Sequence, residues 1–326
     1  MKYFMTGATG FLGGALLRQL RVAGHEVHCV VRDPTRAPEL VRLGAVLHRG
    51  DVTDKASMRA PMSGVDGVFH VAGWYKIGAR DSSPAAATNI DGTRNVLELL
   101  RELGIPKGVY TSTLAINSDT HGQLVDENYR FSGVHLTEYD RTKAVAHALA
   151  KTLMGDGLPL VIVMPGLIYG PNDTSTVRTM LIQFLKRLLP MVPRATAFSW
   201  AHVDDVAAAH VLAMERGRVG EEYIVCGPTH TLAEAFAIAA GLVGRRAPLA
   251  APSGLFKAMV RPMRLIEKLI AVPATYSAEA MQVSGGVTYI GDNAKAKREL
   301  GFAPRALSIG LAETLEHEMK LLGLRR

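Results

Sequence analysis

The chain is predicted to be an α/β protein, a doubly wound parallel sheet with helices on both faces and a smaller, mostly helical C-terminal lobe. Three observations predict it. Short Val- and Ile-rich runs bounded by glycine alternate with helical patterns through the first half, as in strands buried on both faces and joined by crossover helices. The first run leads directly into a glycine-rich turn, Thr6-Gly7-Ala8-Thr9-Gly10-Phe11-Leu12-Gly13. After Pro165 the alternation loosens, and prolines at 248, 252, 262, 273 and 304 break the chain into short pieces.

The elements follow in order. Strands are predicted at Tyr3–Thr6, Val27–Val31, a third run ending at Gly50-Asp51, then Val65–Val71, Gly108–Ser112, Leu158–Met164 and Glu222–Val225. Helices are predicted at Ala15–Ala23, where Leu16, Leu17 and Leu20 share a face, and at Thr93–Leu103, Tyr139–Met154, Thr176–Leu189 and Val203–Arg216. Residues 1–165 form the sheet domain in this reading, with 196–227 returning to it; 166–195 and 228–326 form the lobe.

Composition narrows the function classes. The chain has 326 residues, 48% hydrophobic and 21% charged, enough to bury a core and too ordinary for a disordered chain or a disulfide scaffold. Cys29 and Cys226 lie far apart in apolar runs and read as reduced core thiols. Lys and Arg number 37 against 30 Asp and Glu, a net +7 with no run of five basic residues. That favours mild attraction to anionic ligands over nucleic-acid binding. The glycine turn follows so closely on the first strand that no signal peptide fits, and no stretch approaches the ~20 apolar residues of a spanning helix. A cytoplasmic protein is the expectation. No His, Cys and carboxylate spacing points to a metal.

The glycine turn carries the first chemical signal. Between a strand and a helix, glycines permit a tight turn and let the backbone approach a pyrophosphate, which faces the free N–H groups of the helix N-terminus. The second signal is Tyr139-Asp140-Arg141-Thr142-Lys143. Positions i and i+4 share a helix face, so the phenol and the ammonium can address one site, and a nearby cation stabilises a phenolate. The third is the hydroxyl cluster Thr111-Ser112-Thr113 at a strand end, with Thr113 lying 26 residues before Tyr139.

The GxxGxxG spacing, the hydroxyl cluster and the Tyr-x-x-x-Lys pair together resemble the extended short-chain dehydrogenase/reductases, a Rossmann-fold family that includes sugar-nucleotide epimerases, dihydroflavonol reductases and 3β-hydroxysteroid dehydrogenases. The resemblance runs over about residues 3–320 and is sparse from 240 to 285. It implies Thr113, Tyr139 and Lys143 as catalytic residues, with Ser112 as the fallback hydroxyl. It implies cofactor contacts from Gly7, Thr9, Gly10, Phe11, Leu12, Gly13, Arg32, Arg36, Asp51, Val52, Ala72, Thr111, Tyr139, Lys143, Pro165 and Ile168. Asn89 would hold a relay water or cap its helix. His202, Asp204 and Asp205 read as structural.

The second strand ends Val31-Arg32-Asp33-Pro34. Asp33 stands 20 residues after Gly13, where counting alone points to the 2′-hydroxyl of NAD. The family pattern instead puts the ribose-binding acid at Val31, and Arg32 with Arg36 favours the 2′-phosphate of NADP. NADP is therefore expected, with NAD possible.

Leu114 and Ala115 follow the hydroxyls where sugar-nucleotide dehydratases of the family carry acids, and Thr196-Ala197-Phe198 replaces their diphosphate-binding arginine segment. An apolar stripe from Leu255 to Ile270 admits three readings: core, the wall of an apolar pocket, or, with Lys257, Arg261, Arg264 and Lys268, a membrane-surface helix. The expected function is hydride transfer between a nicotinamide and a carbonyl or secondary alcohol of an apolar small molecule. The alternatives are a nucleotide-sugar epimerase with tightly bound NAD and a dinucleotide-binding redox sensor. A homodimer is expected through helices at about 93–103 and 140–154, with Leu97, Leu100 and Leu103 compatible. Either Val134–Glu138 or residues 74–86 would close over a ligand, and the sequence leaves both open.

Overall fold

A computed structural model of the chain describes residues 1–76, 81–270, 272 and 277–324. Residues 77–80 of the 74–86 segment, and Pro273 within the apolar C-terminal region, lie outside the described residues.

The first six strands are β1 (Lys2–Thr6), β2 (Glu26–Val31), β3 (Val46–Arg49), β4 (Gly67–His70), β5 (Gly108–Thr111) and β6 (Leu160–Pro165). With Glu222–Val225 they form one seven-stranded sheet in the order Glu222–Val225, β6, β5, β4, β1, β2, β3. Every pair in it is parallel. The strands alternate their side chains between two apolar clusters. Phe4, Val30, Val68, Tyr110, Ile162 and Ile224 enter one, and Met5, Cys29, Phe69, Val109, Val163 and Tyr223 enter the other. Burial on both faces contributes about 1.5–3 kcal/mol for each large apolar side chain, and it explains the nearly continuous apolar runs.

Strand order reverses between β1 and β4, which opens a crevice at their C-terminal ends, the usual ligand position in such sheets. Thr6 and His70 span this point. The Thr6 hydroxyl oxygen accepts from Val71 N and Ala72 N at 3.1 Å and pairs with His70 Nδ1 at 2.8 Å.

The first helix runs Phe11–Val22, four residues longer at its start than the apolar spacing predicts. Gly13 and Gly14 lower local helix propensity, and tertiary contact overrides it: a Cβ on Gly13 would lie 2.0 Å from the Gly7 carbonyl oxygen. The helix Gly92–Glu102 buries Leu97 and Leu100 in the core of its own subunit, so these leucines offer nothing to a partner.

Beyond β6, Leu167–Tyr169 pairs with Ala197–His202, and that strand pairs in turn with Thr229–Thr231 and Thr288–Tyr289 in a smaller sheet. A third apolar cluster, including Tyr169, Phe184, Trp200, Phe236 and Leu311, fills the lobe. Cys29 and Cys226 are buried free thiols, both pushed up to about 12 by burial.

Candidate active site

The glycine turn after β1 is an open, donor-rich cradle. Gly7 adopts φ +75°, and a Cβ there would lie 2.6 Å from Ala72 N. Gly10 caps the first helix without a side-chain hydrogen bond, so the N–H groups of the first turn have no intrahelical or side-chain acceptor. Thr9 and Gly10 are exposed, Phe11 is half-buried, and Leu12 points into the core. Backbone donors without a cap, at a crevice that glycines keep clear, fit a dinucleotide diphosphate.

At the C-terminal ends of β2 and β3, Arg32, Arg49, Gly50, Asp51, Asp54 and Ser57 line a cavity of about 370 Å³. Arg36 is exposed and is not among the lining residues. Asp33 Oδ1 accepts from Thr35 N at 3.0 Å and from the Thr35 hydroxyl at 2.7 Å, so this carboxylate caps its own turn. Asp51 Oδ1 likewise accepts from Thr53 N and the Thr53 hydroxyl. Val52 is buried, and a Cβ on Gly92 would lie 2.8 Å from it. Sequence reasoning missed Arg49. Its only local signal is its place at the end of β3, where it follows no motif.

Tyr139, Lys143, His147 and Lys151 recur every four residues along the helix Glu138–Gly155 and so share one face. Thr137 caps this helix, accepting from Asp140 N at 3.0 Å. Burial pushes the Tyr139 phenol up to about 12, opposed by a hydrogen bond with Thr113. The Thr113 oxygen accepts from Ala115 N at 3.1 Å, which fixes the hydroxyl. Lys143 is buried, and desolvation pulls it down to about 7. Its Nζ donates to the Thr111 carbonyl at 2.8 Å and to the Tyr110 hydroxyl at 3.2 Å, and sits 4.8 Å over the Tyr110 ring. Gly73 borders this ammonium, and a Cβ there would stand in ordinary contact, 3.4 Å from Asn89 Oδ1 and 4.0 Å from Nζ.

Thr111 and Ser112 address other partners. The Thr111 hydroxyl pairs with His210 Nε2 at 2.8 Å. Ser112 Oγ pairs with His147 Nδ1 at 2.9 Å, and His147 Nε2 meets Glu222 Oε2 at 2.8 Å. Lys151 also contacts Glu222, and with His147 it outweighs the burial that would raise this carboxyl, holding it at about 2. Ser112 is thus tied beneath the sheet end, and Thr113 is the cluster hydroxyl that opposes the rise of the phenol.

Two further polar groups shape the floor. Thr93 donates to the Asn89 carbonyl, so its oxygen is left to accept from His70 Nε2 at 3.0 Å. Burial, with Lys143 nearby, holds His70 neutral by pulling it down to about 3. Asn89 clamps the Trp74 backbone, accepting from Trp74 N at 2.7 Å and donating to Trp74 O at 3.0 Å, and it also donates to the Thr142 hydroxyl. Pro165 ends β6, and Ile168 pairs with Ala201 in the next strand. His202 caps the helix Val203–Arg216, while Asp205 receives Arg305 in a forked pair.

This arrangement matches a known group of proteins. Residues 3–226 fit the family model described as the NAD dependent epimerase/dehydratase family. The chain belongs to that family. Among its relatives, sterol demethylase protein B of Methylococcus capsulatus is 30% identical over 325 residues, covering 97% of each chain. The 4-hydroxy-2-methyl-3-oxo-4-farnesyl-3,4-dihydroquinoline-1-oxide ketoreductase of Stigmatella aurantiaca is 32% identical over 236 residues, covering 69% of this chain and 68% of that one. The crystal structure of gox2253 superposes with a TM-score of 0.85 at 27% identity, covering 99% of both chains. The epimerase/dehydratase fold is therefore the frame in which the residues above act.

Proposed function

We propose that this member of the epimerase/dehydratase family is an NADP-dependent reductase that converts a carbonyl on an apolar small molecule to a secondary alcohol. The observation that carries the reading is Tyr139 standing one helical turn from the buried Lys143 on one face of the helix, with Thr113 opposing the rise of the phenol. Bound along the crevice, a reduced nicotinamide supplies the hydride. Tyr139 donates the proton to the carbonyl oxygen, and Thr113 holds that oxygen by a hydrogen bond. Lys143, fixed by Thr111 O and Tyr110, stabilises the phenolate left behind and borders Gly73.

Arg32 and Arg49 support NADP over NAD, because two guanidinium groups line the adenosine-end cavity while Asp33 is engaged with Thr35. The ketoreductase relative supports reduction of a keto group on an apolar molecule.

The test is consumption of NADPH and of NADH by purified protein across a panel of apolar ketones. Tyr139→Phe should lose about 10²–10⁴-fold in kcat while binding NADPH normally. Arg32→Ala combined with Arg49→Ala should raise KM for NADPH by about 10–100-fold, the loss expected of one or two charged hydrogen bonds, and leave KM for NADH unchanged. Full turnover by Tyr139→Phe overturns the reading. So does protein that purifies with tightly bound NAD and consumes no added NADPH.

A further inference from the structure

The helix Ser253–Leu269 divides its apolar residues between two sides. Phe256, Val260 and Met263 are half-buried, and the helix packs against Ala278–Val283. Leu255, Met259, Leu265, Ile266 and Leu269 face outwards, Leu265 being 64% and Leu269 84% exposed. Exposed apolar residues also occur in the segments that precede the helix. Leu249 is 72% exposed and pairs in register with Met191, itself exposed, and Leu188 is 63% exposed just before that strand. Isolated exposed leucines are ordinary, but a run of them along one surface marks a contact site.

Charge says what it contacts. Residues 174–203 and 235–266 contain nine Lys and Arg and no Asp or Glu, and the acid that follows in the same helix, Glu267, is half-buried and accepts from Ala278 N at 2.7 Å. The remainder of the chain carries 28 basic residues against 30 acidic ones, so the net positive charge resides in these two segments. Lys186, Arg187, Arg246, Lys257 and Arg261 are exposed, and among the described residues none of them makes an ion pair. No described helix is long and apolar enough to cross a membrane. A solvent-facing apolar stripe edged by unpaired cations has the chemistry of an interfacial helix, whose leucines enter the acyl boundary while the cations meet lipid phosphates.

We propose that this lobe surface docks on a bilayer bearing anionic headgroups, with Leu255, Met259, Leu265, Ile266 and Leu269 inserted and Lys257 and Arg261 at the headgroup level.

Flotation of the full chain with vesicles of phosphatidylcholine, alone or doped with phosphatidylglycerol, tests the proposal. The protein should float with the anionic vesicles and be released by high salt. Lys257→Ala and Arg261→Ala should each lower the partition coefficient about five-fold. Leu265→Glu with Leu269→Glu should abolish flotation while leaving nucleotide binding and thermal unfolding unchanged. Absence of flotation, equal binding to neutral and anionic vesicles, or indifference to these substitutions overturns it. Sedimentation supplies a separate check: a wild-type dimer that the two Glu substitutions convert to monomer shows that a second copy covers the face, and overturns it as well.

Discussion

The Tyr289 hydroxyl donates to Asp140 Oδ2 at 3.0 Å and so ties the lobe to the helix carrying Tyr139. The same carboxylate accepts from Ser118 Oγ at 3.0 Å and from Thr137 Oγ1 at 2.7 Å. Tyr289 in turn stacks on Phe198, ring centroids 5.7 Å apart. One buried acid therefore joins the helix cap, the loop after β5 and the smaller sheet.

This buried acid makes stability depend on pH. Burial pushes Asp140 up to about 6 from the ordinary 3.8, and Glu279 adds to the shift against the three hydroxyl donors. The folded state then holds more protons than the unfolded state between those values. Stability from this group is fully present below about pH 4 and is lost as pH rises through 6, by at most ~1.4 kcal/mol per pH unit. Asp140→Asn should remove that slope. Thermal unfolding from pH 4.5 to 8 checks it: the stability of wild type relative to the variant should fall across this window.

Lys143 gives a slope at higher pH. Its folded value of about 7 lies below the unfolded 10.5, so the unfolded chain binds the extra proton between them. Stability rises with pH through that range in protein without added nucleotide. Lys143→Met should abolish the rise and lower kcat at least ~100-fold by removing the ammonium one helical turn from Tyr139. Urea unfolding at pH 7 and pH 9.5, paired with turnover, checks both. An unchanged slope in the variant would place the titrating group elsewhere.

Two adjacent glycines should respond in opposite ways. A Cβ on Gly13 would stand 2.0 Å from Gly7 O, whereas one on Gly14 would meet Ala8 O only at 3.7 Å. Gly13→Ala should destabilise by about 1–3 kcal/mol, because backbone must move, and weaken dinucleotide binding. Gly14→Ala should stabilise by about 0.5–1 kcal/mol through helix propensity. Urea midpoints and NADPH fluorescence titrations distinguish them.

The buried His147–Glu222 contact links the strand Glu222–Val225 to the helix that carries Tyr139. Glu222→Gln should cost about 3–5 kcal/mol, the usual penalty for removing one member of a buried charged cluster. The loss should be greatest at neutral pH, since stability from a carboxyl held near 2 is present above its unfolded 4.5 and declines as pH falls below it. Chemical unfolding at pH 7 and pH 3.5 measures the difference.

The parallel sheet, the phosphate turn and the Tyr139/Lys143 pair were legible in the residues themselves, because each depends on spacing within a few turns of chain. Val- and Ile-rich runs encode strands buried on both faces, glycines encode the tight turn, and a four-residue interval encodes a helix face. What remained open required contacts between distant segments. Only packing turns Ser112 towards His147 and leaves Thr113 free of that pair, since the two hydroxyls are neighbours of like chemistry. Arg49 joins Arg32 because β3 lies beside β2, and Asp140 finds Tyr289 across 149 positions. The apolar run after Leu255 is the clearest case. Helical periodicity arranges its residues in stripes, but burial alone determines which stripe faces the protein and which faces outwards.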